Sequence, residues 1–259
     1  MNLDYVIEER VIERAMATYP EIKELVEFST PVVSFGYPSS ARMVTVGINP
    51  SSLEFLTPGK NKKILPANKK KLVDLETLRV KSPKALDREQ AIKVIEGCYS
   101  YFNIKPYDWF DHLNRNVNSY FKCNYRDGSA AHLDLVQWAT DPVWGNIEDE
   151  SIKSGLLQGD VDFLRYQINT KKFEVIFLNG RQVFEQLTRH KIVEAVEADT
   201  VTYLTKTGKL LPVTFYQGQS QNGSCVLGWS RTFPGHHISG EALPGIVEKL
   251  HNHFERFKK

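Results

Sequence analysis

Three short apolar runs, each closed by a polar turn, limit what this chain can fold into. "ARMVTVGI" ends in Asn-Pro-Ser-Ser, "AAHLDLVQWAT" ends in "DPVWG", and "FEVIFLNG" carries its own tight exit. The first reads as a short buried strand and the others as strands of the same kind. A hairpin follows, "TVTYLTKTGKLLPVTFYQG", with Thr207-Gly208 at its turn, and then a last strand, "SCVLGWS". Helical patterns lie between them. They cover Leu3 to Phe28 with Pro20 as the break, Asp87 to Phe102, Tyr107 to Phe121, Asp149 to Tyr166, Arg181 to Leu187 and Gly240 to Phe257. Strands that alternate with helices predict an α/β fold, a three-layer α/β/α sandwich around a central, mostly parallel sheet. The 259 residues read as a single domain, with a basic loop and a helical insertion around 57–125.

Composition allows a sizeable core and excludes several classes. Hydrophobic residues make up 41% of the chain, and the formal net charge is +2, so overall charge does not argue for nucleic acid. Cys98, Cys123 and Cys225 are far apart and form no CxxC pair, which argues against a disulfide framework or a metal site. No metal or cofactor is implied. The start, "MNLDYVIEERVIER", is acidic and helical rather than basic and then apolar, and no apolar stretch approaches the roughly 20 residues that span a bilayer. The expectation is a soluble, cytoplasmic protein with no membrane partner and no evident protein partner.

In sheets of this kind, ligands gather beyond the carboxyl ends of the strands. That rule selects "GINPSS", "DLVQWATDP", "LNGRQ" and "GWSRTFPGHHISG". Asn49 has two readings. It caps a turn through its own backbone, or its carboxamide orients a water, with Pro50 fixing the turn and Gly47 letting another group approach. "TPGKNKKILPANKKK", Thr57 to Lys71, holds six lysines and no acid. It is either a solvated loop or a phosphate contact made through Lys69, Lys70 and Lys71. "HNH" at His251 to His253 is no nuclease motif, because residues two apart on a helix do not share a face.

"GINPSS" resembles the first motif of the uracil-DNA glycosylase superfamily, above all its mismatch-specific branch with a "GINPG" turn. The resemblance implies that Asn49 positions the hydrolytic water, that Phe55 stacks on the flipped base, and that Ser51 marks a departure at the turn. "LDLVQWATDP" is similar to the superfamily's base-reading strand, with Asp134 where an Asn pairs with uracil. An ionised Asp only accepts hydrogen bonds. It suits the amino edge of cytosine rather than the mixed edge of uracil. "GWSRTFPGHHISGE" occupies the place of the second motif. There His236 or His237 stabilises the departing base, Ser239 keeps the motif's serine, and Arg231 is a candidate for the DNA contact.

The resemblance implies a uracil-DNA glycosylase-like fold and a monofunctional DNA glycosylase. Such an enzyme flips a base and hydrolyses its N-glycosidic bond to leave an abasic site. Asp134 points to a modified cytosine, such as the glucosylated hydroxymethyl form. Some superfamily members similar in outline remove such bases from phage DNA in bacterial defence. The alternatives are uracil or mismatch repair, a non-catalytic DNA-binding relative, and a hydrolase of free nucleosides.

Overall fold

The computed structural model describes residues 6–80, 85–104, 106–205, 207–232 and 242–258. The chain packs as two compact units of interleaved segments. One comprises Met1–Tyr37, Ile48–Pro106 and Leu133–Phe163; the other comprises Pro38–Gly47, Tyr107–His132 and Leu164–Lys259. The boundary does not follow the 57–125 insertion expected from sequence: 48–106 lies in the first unit and 107–132 in the second.

The second unit carries the sheet, apart from the last two residues of β2. Its strands are β1 (Met43–Gly47), β2 (Ala130–Asp134), β3 (Val175–Asn179), β4 (Val193–Leu204), β5 (Leu210–Ser220) and β6 (Cys225–Trp229), in the spatial order β2-β1-β3-β6-β5-β4. β1 pairs with β3, and β3 with β6, in parallel; β5 runs antiparallel to both β4 and β6. The chain is therefore an α/β protein with a six-stranded, mostly parallel central sheet flanked by helices. β3 and β6 are buried at every residue, which explains their unbroken apolar sequences. β4 is the edge and is largely exposed, and Glu194, Glu197 and Asp199 place charge along it.

Consecutive residues of β5 show the two faces of the sheet. Phe215 meets His253 of α7 (Ala242–Phe257), while Tyr216 stacks at 3.8 Å on Phe184 of α6 (Arg181–Arg189). On the α7 side, Thr45 Oγ1 hydrogen-bonds both Tyr125 Oη (2.6 Å) and His132 Nδ1 (2.7 Å), and all three polar groups are sealed in the core.

The first unit is built on α1 (Glu9–Ala15), α2 (Arg88–Tyr99), α4 (Glu150–Leu157) and long, well-bonded loops. Its core includes Val136, Trp138, Trp144, Ile147 and Leu156, with Tyr19, Ile22 and Leu25 packed against them. Asp87 and Gln90 cap α2 reciprocally. The helix expected over 3–28 ends at Ala15. Pro20 cannot continue it, and the apolar residues beyond dock through their backbones instead. Val26 N donates to Ala139 O at 3.0 Å, and Leu25 bridges Thr140.

Two more helices are shorter than their patterns. The 107–121 stretch is α3 (Asp108–Asn116) and a 3₁₀ turn, parted at Val117. The 149–166 stretch divides into α4 and α5 (Asp160–Thr170) around Gly159, which sits at φ +83°. The second strand stops at Asp134, although its apolar run continues to Thr140.

Candidate active site

The turn after β1 is fixed by one side chain. Asn49 Nδ2 donates to Pro50 O (3.2 Å), Trp138 O (3.3 Å) and Thr140 Oγ1 (3.0 Å). Two of the three are carbonyls, so the reversed amide would set oxygen against oxygen; the nitrogen belongs where it stands. Asn49 Oδ1 is thereby turned from these acceptors and has no hydrogen-bond partner among the described residues. The residue is half-buried.

Further contacts hold the same two loops together. Val136 N donates to Ile48 O at 2.8 Å, and Ser51 forms a bridge with Thr140. Lys62 Nζ reaches Asp141 Oδ1 at 2.6 Å and Ser52 Oγ at 3.3 Å. The loop after β2 is braced from behind by a buried network. Arg14 pairs with Asp160, Arg14 Nε donates to Gln137 Oε1 at 3.0 Å, and Gln137 N donates to Asp160 Oδ2 at 2.7 Å.

Ser51 starts a 3₁₀ turn, Ser52–Glu54, and its Oγ accepts from Leu53 N. The turn delivers Glu54 into the interior, where it is 2% exposed. Tyr101 Oη donates to Glu54 Oε2 at 2.8 Å, and Lys71 Nζ lies 3.9 Å from the same oxygen. Burial pushes the Glu54 carboxyl up to about 7; Lys71 and Tyr101 pull the other way, and the charge of Asp134 adds to the rise. Asp134, the last residue of β2, is itself buried. Glu54, Tyr101 and Lys71 thus gather in the interior of the first unit.

Glu54 was missed in the sequence because the partners that set its environment, Tyr101 and Lys71, lie far along the chain. One signal was available: an acid inside the apolar run "SSLEFL", directly after the polar turn.

The other predicted residues fall as follows. Gly47 ends β1 and is half-buried. Phe55 is 2% exposed and belongs to the core, so in this conformation it offers no ring face for stacking. The lysine loop holds both exposed and paired cations. Lys69 is exposed, but Lys70 is clamped between Asp74 (2.8 Å) and Glu76 (2.6 Å), and Lys71 lies beside Glu54. The balancing acids come later in the sequence or from the preceding turn. Arg231 Nε and a terminal nitrogen donate to Pro212 O at 3.2 and 3.1 Å, bracing the strand pair. His236, His237 and Ser239 lie outside the described residues. The aromatic stretch "YSYFNIKPYDWF" contributes Tyr99, Tyr101, Phe102 and Phe110 to the packed interior.

In the second unit, the exits of β3 and β6 close tightly. Trp229 Nε1 donates to Asn179 Oδ1 at 3.0 Å. Gly180, at φ +118°, passes so near Thr232 that an added Cβ would lie 2.6 Å from its Oγ1.

No family model matches the chain, and no curated protein matches it. Among the described residues, no group of three or more His, Cys, Asp or Glu could hold a metal ion, and no helix is long and apolar enough to cross a membrane. The three cysteines are free and buried. Burial pushes the Cys98 thiol up to about 11 and that of Cys225 to about 12, which makes both poor nucleophiles.

Proposed function

We propose that this protein is a monofunctional DNA glycosylase that hydrolyses the N-glycosidic bond of a flipped, modified cytosine. The observation that carries the reading is the Asn49 carboxamide. Its nitrogen is held by Pro50, Trp138 and Thr140, and its oxygen is left to accept from a water. A turn cap needs only one local bond; three acceptors on two loops fix the group in orientation, as a water-positioning role requires.

In this reading a water donates to Asn49 Oδ1 and attacks the sugar carbon C1′. The C1′–N1 bond breaks and its electron pair passes to the base. The water oxygen stays on C1′, and its proton ends on the departed base. Asp134, buried at the end of β2, accepts from the exocyclic amine of cytosine. The exposed lysines of the 57–71 loop meet backbone phosphates.

The test is a panel of DNAs bearing uracil, a thymine mismatch, 5-hydroxymethylcytosine or its glucosylated form. Alkali after incubation cuts only where a base has been lost. The expected result is cleavage at a cytosine derivative, abolished in Asn49→Ala with DNA binding retained. Intact strands throughout would sink the enzymatic reading. Cleavage at uracil alone would return the assignment to repair.

A further inference from the structure

The "HNH" stretch lies on α7, in the second unit, and its two histidines stand in different surroundings. His251 is partly exposed, with Nε2 3.9 Å from Glu255 Oε1. His253 is 5% exposed and sits between two oxygens of the sheet. Its Nδ1 lies 2.8 Å from Gln217 Oε1 of β5, and its Nε2 faces Asp199 Oδ1 of β4 at 3.9 Å. Both Nε2 and that Oδ1 are buried atoms, and neither has a hydrogen-bond partner among the described residues. The other oxygen of Asp199 is held by Lys249 at 2.8 Å. Lys249 and His253 are four apart on α7, so they share the face that meets the edge strand.

A neutral imidazole carries one N–H and one bare nitrogen. It has a donor for Gln217 or for Asp199, but not for both. Only the imidazolium has a donor for each oxygen. In the neutral form the gap to Asp199 is too long for a hydrogen bond, and a buried carboxylate oxygen without a donor is costly.

We propose that His253 and Asp199 form a proton switch between α7 and the edge strand β4. A proton taken from solvent by the ring turns Nε2 into a charged donor to Asp199 Oδ1. The carboxylate then grips the helix at two points, Lys249 and His253. Loss of the proton leaves Lys249 to hold it. The switch is independent of the glycosylase reading.

Burial is the largest influence on the ring and holds it below the ordinary histidine value of 6.5. Asp199, from β4, pulls against burial; Lys249 and Arg256, from α7 itself, add to the fall. β5 presents the neutral Gln217 and Phe215. The other elements packed on α7 meet it elsewhere. Phe121 touches His251 and Phe254, and Cys225 of β6 lies toward Lys258. The lowered value places the switch on the acid side of neutrality. The sign for stability follows: the contribution of His253 is whole above 6.5 and is lost as pH falls through the folded value. The second grip on Asp199 is therefore made at a cost to the fold.

The experiment follows the imidazole resonances of the full chain, labelled with nitrogen-15, from about pH 4.5 to 8. His253→Gln identifies the signal, and through-bond assignment does so if that variant does not fold. His253 should titrate below 6.5 and below His251. Asp199→Asn should lower its midpoint by about one pH unit, and Lys249→Met should raise it. The Asp199 side chain is 36% exposed, so its amide variant leaves the core as it is. Below the transition, an Nε2 proton protected from exchange with water should appear, and it should be missing in Asp199→Asn. A midpoint that is unmoved or raised by Asp199→Asn overturns the switch, as does a His253 signal that titrates nowhere in the range.

Discussion

Asn49 Nδ2 donates to Thr140 Oγ1 at 3.0 Å, and this bond ties the turn after β1 to the loop after β2. Thr140 is 1% exposed and also bridges Ser51 and Leu25 through its backbone. Its hydroxyl is one of three acceptors that orient the carboxamide. Thr140→Val keeps the shape and removes the acceptor. Its expected effect is a fall in kcat of about tenfold, a loss of about 1.4 kcal/mol in the barrier, with KM unchanged. Thr140→Ser should restore most of the rate. A purely structural role for Thr140 would instead move the thermal midpoint and leave kcat untouched in the folded fraction.

The lysine loop divides into exposed and paired side chains. Lys60, Lys63 and Lys69 are exposed, whereas Lys70 is held by Asp74 and Glu76. Reversing the three exposed charges should weaken DNA binding and lower the slope of log K against log salt by about 2.7, at about 0.9 per phosphate contact. Lys70→Glu should act on folding instead. Asp74 is 2% exposed, and a charge of its own sign beside it should cost about 3 kcal/mol, by analogy with breaking a buried pair. Urea unfolding and a salt titration of binding separate the two outcomes. Equal salt slopes before and after the triple reversal would remove this loop from the DNA interface.

Arg14 and Asp160 test the support behind the loop. Both are at most 8% exposed, and Asp160 also accepts from Gln137 N. Arg14→Met strands a buried carboxylate and should cost about 3–5 kcal/mol, whereas Arg14→Met with Asp160→Leu should recover most of that loss. Denaturant midpoints measure both. A double variant no better than the single one would mean that the network holds the loop through Gln137 rather than through charge.

The strands and their polar exits were legible because buried parallel strands are nearly unbroken apolar runs, and Met43–Gly47, Val175–Asn179 and Cys225–Trp229 fit that description. The apolar run through Thr140 was longer than its strand. Leu135, Val136 and Trp138 are buried as loop residues, and periodicity cannot distinguish a buried loop from a buried strand. The 3–28 helix failed for a related reason, since beyond Pro20 Ile22 packs on the core, Leu25 bridges Thr140 and Val26 bonds Ala139, with no helical face among them. Asn49 could be singled out because its motif is local. Glu54 could not, because its chemistry comes from Tyr101, Lys71 and Asp134, which are 47, 17 and 80 positions further on.

Glu54 makes a prediction about stability. Burial holds its carboxyl at about 7 in the folded chain against an ordinary value of 4.5, so the folded state binds the proton more tightly than the unfolded one. Its contribution is fully present below about 4.5 and is lost as pH rises through about 7. That difference corresponds to about 3 kcal/mol withdrawn by pH 8. Glu54→Gln removes the titration while keeping size and polarity. The variant should therefore match the native protein near pH 4.5 and exceed it in stability at pH 8, by about 3 kcal/mol at most. Denaturant unfolding across that range measures the difference directly. A variant less stable than the native chain at pH 8 would mean that Glu54 is ionised in the folded state and paired with Lys71.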